Sequence, residues 1–130
     1  MLRGKKEAVY GDIDTFISDK MEVKGELNSK GSIRIDGRVE GKVEASGDVV
    51  LGEKGHIKGE IKAKNIIIAG RMDGNVHAGG RLEISPSGNV NGDVACSVLV
   101  VEEGGVLNGM AKMNQTEEKE NKRERKNKEG

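Results

Sequence analysis

Apolar and polar residues alternate along most of the chain, and one seven-residue pattern recurs six times. The pattern is apolar-x-Gly-x-apolar-x-small. Its copies read VKGELNS (23–29), VEGKVEA (39–45), IKGEIKA (57–63), MDGNVHA (72–78), VNGDVAC (90–96) and LNGMAKM (107–113). Alternation with a period of two predicts a β-strand at each copy.

Shorter apolar segments lie between successive copies and predict a second set of strands. They are Ile33/Ile35, Val49/Leu51, Ile66/Ile68, Leu82/Ile84 and Val98 to Val101. The central glycines of the copies are separated by 15 to 18 residues, which is too short for a βαβ unit or a propeller blade. One coil of a parallel β-helix fits this period. The sequence therefore predicts an all-β fold, a single-stranded parallel β-helix of about six short coils.

The composition agrees with a narrow apolar lumen. The 130 residues include 20 glycines but only Tyr10 and Phe16 as aromatic residues. Collagen is excluded because the glycines do not follow a strict Gly-x-y period, and a coiled coil is disfavoured because glycine destabilises helix interiors. Ladders of Val, Ile and Leu, with Ser29, the alanines and Cys96 at tight positions, fill such a lumen without aromatic side chains.

Three zones follow from the distribution of residues. Residues 1–20 are predicted to be a flexible N-terminal segment, in which Ile13, Phe16 and Ile17 could partly cover the first coil. Residues 21–113 hold 17 of the 20 glycines and form the β-helix domain. Residues 114–130 contain 11 charged residues and no apolar side chain, so a disordered charged tail is expected.

The charge pattern disfavours nucleic acid as a partner. Lysine and arginine together number 22, as do aspartate and glutamate, and the two signs interleave. In the first three copies, the residues beside the core glycines alternate in sign from one copy to the next, as in Lys24, Glu40 and Lys58. Stacked coils would then bring opposite charges together. No phosphate-binding glycine motif is present, so nucleotide binding is also disfavoured.

The sequence predicts no catalytic, cofactor-binding or metal site, and no cofactor. His56 and His77 stand at different offsets from their core glycines and have no second ligand at metal-binding spacing. Solvent-exposed side chains are expected for both. Cys96 takes a small inward position and is expected to be a buried thiol in a reducing compartment. The N-terminus has no signal-peptide-like apolar run, and cytoplasmic location is the default.

The two ends of the predicted solenoid carry the main functional hypothesis. An end without a polar cap exposes unpaired backbone and apolar ladders, and two such ends generate an open filament. The predicted N-terminal contact consists of Val23, Lys24, Gly25, Glu26, Leu27, Ile33 and Ile35. The predicted C-terminal contact consists of Val98, Val100, Val106, Leu107, Met110 and Met113. The alternative is that the tails fold over the ends and leave a monomeric solenoid that binds a partner.

The extreme N-terminus combines apolar and basic residues. Cations attract anionic lipid at about 1 kcal/mol each, and a filament would multiply this weak binding. Its candidate membrane-binding residues are Met1, Leu2, Arg3, Lys5 and Lys6. An ordinary solvated N-terminus is the other interpretation.

The chain resembles the bactofilins, a family of bacterial polymer-forming cytoskeletal proteins. The family pattern I-x-G-x-V-x-G followed by V-V-x-G-E-x-G-x-I-x-G is matched by residues 35–41 and 49–59. The resemblance is most specific over residues 31–70 and extends from about Ile13 to Met113.

The resemblance implies a right-handed β-helix flanked by unstructured tails. It also implies non-polar filaments that form without nucleotide or metal, through both ends of the helix. Such filaments lie at the inner face of the bacterial cytoplasmic membrane and organise cell-shape, cell-wall or motility proteins. The competing enzyme class, hexapeptide-repeat acyltransferases, has a strict six-residue period and a catalytic histidine, which the irregular spacing here disfavours.

Overall fold

The computed structural model describes residues 13–114, which form β-strands and turns. The strands are β1 (Thr15–Ile17), β2 (Glu22–Ser29), β3 (Ile33–Ile35), β4 (Arg38–Ala45), β5 (Asp48–Leu51), β6 (His56–Ala63), β7 (Asn65–Ile68), β8 (Arg71–Ala78), β9 (Arg81–Ile84), β10 (Asn89–Asn91), β11 (Val94–Cys96), β12 (Val98–Val101), β13 (Val106–Asn108) and β14 (Ala111–Met113). Within this range, no helix of a length and apolarity able to cross a membrane is found.

Each coil of the chain contributes one short strand and one long strand. The short strands pair in the order β1-β3-β5-β7-β9-β12, which we call the short-strand sheet. The long strands β2, β4, β6 and β8, followed by the strand pairs β10/β11 and β13/β14, form the long-strand sheet. All neighbours in both sheets are parallel. The predicted all-β solenoid of about six coils is therefore confirmed.

The core glycines set the register and the shape of the long strands. Gly25, Gly41, Gly59 and Gly74 stand in one column, as the repeat predicts. Their φ angles, together with those of Gly92 and Gly109, lie between 130° and 149°. An L-residue avoids this region, so glycine allows a bend in the middle of each long strand. Beyond Gly74 the strand is interrupted near this point and splits into two.

The lumen is a continuous apolar core. Alternate residues of every strand point inward, and in the middle coils these side chains are fully buried: Val39, Val43, Val49, Leu51, Ile57, Ile61, Ile66, Ile68, Met72, Val76, Leu82 and Ile84. Stacking at about 4.8 Å brings like side chains into contact along each ladder. Aliphatic residues fill the lumen, as the scarcity of aromatic residues predicts.

The solenoid begins earlier in the chain than the sequence predicts. The strand β1 lies within residues 1–20, which the sequence assigns to a flexible segment, yet it pairs with β3 in register from Thr15 to Ile17. Ile17 is buried against the core. The expectations for residues 1–12 and 115–130, including the two tails, lie outside the described residues.

Candidate assembly interface

The N-terminal end of the solenoid is formed by the two edge strands β1 and β2. In β2, Val23 and Leu27 are half-buried against the core, whereas the central residues Lys24, Gly25 and Glu26 are exposed. Because β2 has a neighbour on one side only, its outer edge presents unpaired backbone groups of the kind that pair with another strand.

Two residues of the predicted N-terminal contact do not belong to this end. Ile33 is 2 % exposed and Ile35 is 0 % exposed, because β1 covers β3. The side chains exposed there instead are Phe16, at 58 %, and Met21. Ile13, Phe16 and Ile17 are the residues that point to this coverage in the sequence, but a three-residue strand without a core glycine leaves a weak signal.

The C-terminal end is more apolar than the N-terminal end. Its edge strands are β12, β13 and β14. Leu107 is half-buried against the core. The exposed large apolar side chains of this end are Val98, Val101, Val106, Met110 and Met113, with Met110 the most exposed at 72 %.

The orientation of β12 separates the apolar residues of this end into two groups. Leu99 and Val101 stand in register with the buried Leu82 and Ile84, and so continue the lumen ladder. Val98 and Val100, which the sequence assigns to the end contact, stand in register with Arg81 and Glu83 and point outward. The sequence does not single out Leu99 and Val101, because the unbroken apolar run Val98–Val101 does not reveal which residues face inward.

Asn114 holds the end of the described chain against the last coils. Its backbone N–H donates to the carbonyl of Cys96 at 2.7 Å. Its side-chain Nδ2 donates to the carbonyl of Ala78, two coils earlier, at 3.2 Å. This residue therefore reaches back along the preceding coils, and up to Asn114 the chain does not cross the lumen end.

The predicted order of charges beside the core glycines is confirmed by the strand register. Lys24 stands beside Glu40, and Glu26 stands beside Lys42. The next rung brings Glu40 beside Lys58. Within residues 13–114, however, the ion pairs shorter than 4.0 Å do not join stacked residues of these columns. Lys54, for example, pairs with Asp19 at 3.5 Å. Neighbouring coils thus place side chains of opposite charge next to each other along these columns, without forming close ion pairs.

A polar network lies on the outside of the long-strand sheet and leads towards the C-terminal end. Asp73 accepts hydrogen bonds from His56 Nε2 at 2.8 Å and Arg71 Nε at 3.0 Å. The amide of Asn91 donates to Asp73 at 3.1 Å, and that of Asn108 donates to Asn91 at 2.9 Å. His56 therefore has a carboxylate partner, whereas the sequence predicts a solvated side chain without one.

Two titratable groups, Asp73 in this network and Cys96 in the lumen, have pKa values shifted by their surroundings. The Arg71 hydrogen bond, opposed in part by burial and aided by His56 and Asn91, lowers the pKa of Asp73 to about 2. Burial raises the pKa of the Cys96 thiol, which is a free cysteine inside the lumen. In the part of the chain that the structure describes, no group of three or more His, Cys, Asp or Glu side chains is arranged to hold a metal ion.

Comparison with known proteins shows the family to which this solenoid belongs. The profile of the bactofilin family, described as polymer-forming cytoskeletal, matches residues 15–112. The chain belongs to the bactofilin family. A structure of Thermus thermophilus bactofilin, a cryo-electron microscopy reconstruction of double helical filaments, is similar to it with a TM-score of 0.69 and 30% sequence identity. The match covers 75% of this chain and 99% of that one. The comparison with curated proteins found no match.

Family membership confirms the resemblance drawn from the repeat. The matched range begins at Thr15, in agreement with the position of β1 rather than with the predicted start at residue 21. The family is a structural, cytoskeletal one, and the Thermus relative assembles with itself. Both observations make the two ends of the solenoid the candidate surfaces for self-association.

Proposed function

We propose that this chain is a bacterial cytoskeletal scaffold protein that polymerises end to end and has no enzymatic activity. One observation carries the proposal. Within residues 13–114, the large apolar side chains that remain exposed gather in the first and last coils: Phe16, Met21, Val98, Val101, Val106, Met110 and Met113. Exposed apolar clusters of this kind mark sites of association.

Assembly through both ends produces an open filament, because each subunit that joins presents another free end. The first strand suggests how like ends meet. If β2 pairs antiparallel with β2 of a second copy about Gly25, Lys24 opposes Glu26 of that copy, and Val23 opposes its Leu27. Like ends then join, and the filament has no polarity. Burial of the C-terminal apolar side chains provides the other contact at about 25 cal/mol per Å².

Neither contact requires a nucleotide or a metal ion, since both consist of strand edges, apolar side chains and opposite charges. By similarity to the double helical filaments of the Thermus bactofilin, we extend the proposal to two strands of subunits wound together.

The proposed location is the bacterial cytoplasm at the inner face of the cytoplasmic membrane. Membrane attachment through Met1, Leu2, Arg3, Lys5 and Lys6 would place the filament there, with many weakly binding copies acting together. Cell-wall or motility proteins recruited to this scaffold are the proposed further partners.

Negative-stain electron microscopy of the purified full chain, without nucleotide and with a chelator of divalent cations, tests the proposal. We expect long filaments under these conditions. A uniform monomer at high protein concentration would overturn it and favour a monomeric solenoid that binds a partner along its side. Binding to anionic vesicles, compared between the full chain and a chain lacking residues 1–6, tests membrane attachment separately.

A further inference from the structure

One outward-facing column of the short-strand sheet has an unusual residue order. Strand register places its six members one above another from the first coil to the last. We call them the lateral column: Phe16, Arg34, Val50, Ile67, Glu83 and Val100. Each lies between two residues that face the lumen, as Val50 lies between the buried Val49 and Leu51, so the column faces outward.

The lateral column is the place where the sides of the solenoid become apolar. In the middle coils, every outward position of β4, β6 and β8 carries a polar or charged side chain, for example Glu40, Lys58 and Asn75. At the corresponding coils the lateral column carries Val50 and Ile67. A solvated wall of a solenoid has no need of these two residues, so this face is suited to contact another surface.

The face is concave beside these residues. A groove of about 550 Å³ is lined by Phe16, Val50 and Ala69 together with the charged residues Asp19, Arg34, Asp36, Glu53 and Lys54. Val50, only 9 % exposed, forms part of the floor, and Ile67 in the next coil is half-buried. An aliphatic side chain from another molecule can therefore enter the groove and contact Val50.

The residue order of the lateral column is complementary to itself when reversed. From the N-terminal end it reads apolar, positive, apolar, apolar, negative, apolar. If a second copy lies antiparallel against this face, Phe16 faces Val100 of that copy, Arg34 faces its Glu83, and Val50 faces its Ile67. In a parallel arrangement each residue faces its own equivalent, and both Arg34 and Glu83 meet a like charge, which is destabilising.

The charged residues of the column are available for this exchange. Arg34 pairs with Asp36, which directly follows β3, at 3.2 Å, and Arg81 pairs with Glu83 at 3.4 Å. The two arginine side chains are 45% and 53% exposed, whereas Asp36 and Glu83 are 17% and 21% exposed, so each pair has its cation at the surface, where ion pairs contribute little. Contacts across the two copies can replace these pairs, and they further bury Ile67, which is half-buried in the single chain.

We propose that the lateral column is the contact between the two strands of the filament, with subunits of the two strands antiparallel. This inference rests on the proposed end-to-end polymerisation and adds the surface and orientation of the second strand. A non-polar strand is compatible with it, because subunits that alternate in direction along one strand can each face an antiparallel subunit in the other. One lateral contact is small, but the filament repeats it many times, and the effects multiply.

Charge exchange within the column tests the proposal by electron microscopy. Arg34→Glu places two negative charges opposite each other, and we expect single-stranded filaments of reduced width. The double variant Arg34→Glu/Glu83→Arg exchanges the two charges and should regain two-stranded filaments. Arg38→Glu is the matched control, because Arg38 is an exposed arginine of the same coil on the long-strand sheet. It should retain two strands.

The outcomes separate this inference from the proposed function. If the wild-type chain forms no filaments, the proposed function fails. If it forms single-stranded filaments only, the proposed end-to-end polymerisation stands, whereas the two-stranded arrangement and the lateral contact are wrong. Two-stranded Arg34→Glu filaments, no rescue by the double variant, or a folded Arg34→Glu chain that forms no filaments would each overturn the lateral contact. Glu83→Arg and Ile67→Asn, which should also yield single strands, repeat the test should Arg34→Glu not fold by circular dichroism.

Discussion

Gly41 stands directly over the carbonyl group of Gly25, so close that a Cβ atom at residue 41 would overlap the oxygen of Gly25. The same relation recurs up the column, where each later glycine approaches the carbonyl of the glycine one coil earlier. At Gly25 itself a Cβ atom would have no neighbour within 4 Å. Since the Cβ direction in this column points towards the preceding coil, it points out of the N-terminal end at Gly25.

This difference predicts unequal effects of Gly25→Ala and Gly41→Ala on stability. Both residues have similar φ angles, 130° and 135°, so both substitutions introduce backbone strain of about 1–3 kcal/mol. Gly41→Ala adds a clash with backbone, and overpacking of this kind costs a further ~1–3 kcal/mol. Chemical denaturation of the two variants in a non-polymerising background measures the difference. Equal losses would contradict the close approach of Gly41 to Gly25.

Gly25→Ala should also weaken polymerisation more than its effect on folding explains. Its methyl group would project into the proposed contact between two β2 strands. We expect a higher critical concentration for assembly, measured by sedimentation of the folded variant. An unchanged critical concentration would place Gly25 outside the contact between N-terminal ends.

The N-terminal contact can be examined by exchanging its charges. Lys24→Glu would oppose Glu26 of the second copy twice in each contact, and we expect weaker assembly by light scattering. Lys24→Glu/Glu26→Lys restores opposite charges and should restore assembly. Lys64→Glu, at an exposed corner in the middle of the rod, makes the same change in net charge and serves as the control. Equal behaviour of the single and double variants would exclude the antiparallel pairing about Gly25.

Much of the fold could be predicted because the repeat that builds each coil is visible in the sequence. Glycine at the third place of each seven-residue pattern predicts the register, and Gly25, Gly41 and Gly59 indeed lie in one column. The strand β1 was missed as part of the solenoid because it is three residues long and has no such glycine. Its pairing with β3 depends on tertiary contact, which a local pattern does not express.

The ends were predicted less completely for a related reason. Exposure at an end depends on which strand is outermost, so Ile33 and Ile35 were assigned to a surface that β1 covers. The direction of a side chain in β12 depends on register with β9, which an apolar run leaves ambiguous. The hydrogen bond between His56 and Asp73 joins two coils diagonally, a relation for which the repeat gives no signal.

Filament polarity can be decided by blocking one end. Met110→Lys places a charge on the most exposed apolar side chain of the C-terminal end, where its burial in a contact is unfavourable. In the Arg34→Glu background, which removes the lateral contact, a non-polar assembly then stops at dimers joined through their N-terminal ends. A head-to-tail assembly would give monomers instead, because every contact needs both ends. Size-exclusion chromatography with light scattering distinguishes the two, and Ser46→Lys, at an exposed corner in the middle of the rod, is the control.

The stability of the polar network should depend on acid pH through Asp73. Its pKa is lowered from 3.8 to about 2 in the folded chain. A depressed pKa stabilises the fold above the unfolded-state pKa, and this contribution is lost as the pH falls through the folded-state value. Wild type should exceed Asp73→Asn in stability by at most about 2 kcal/mol near pH 5, and the difference should vanish below about pH 2. Urea unfolding of both chains across this range measures it, and a pH-independent difference would show that the contacts of Asp73 with Arg71 and His56 do not depend on its charge.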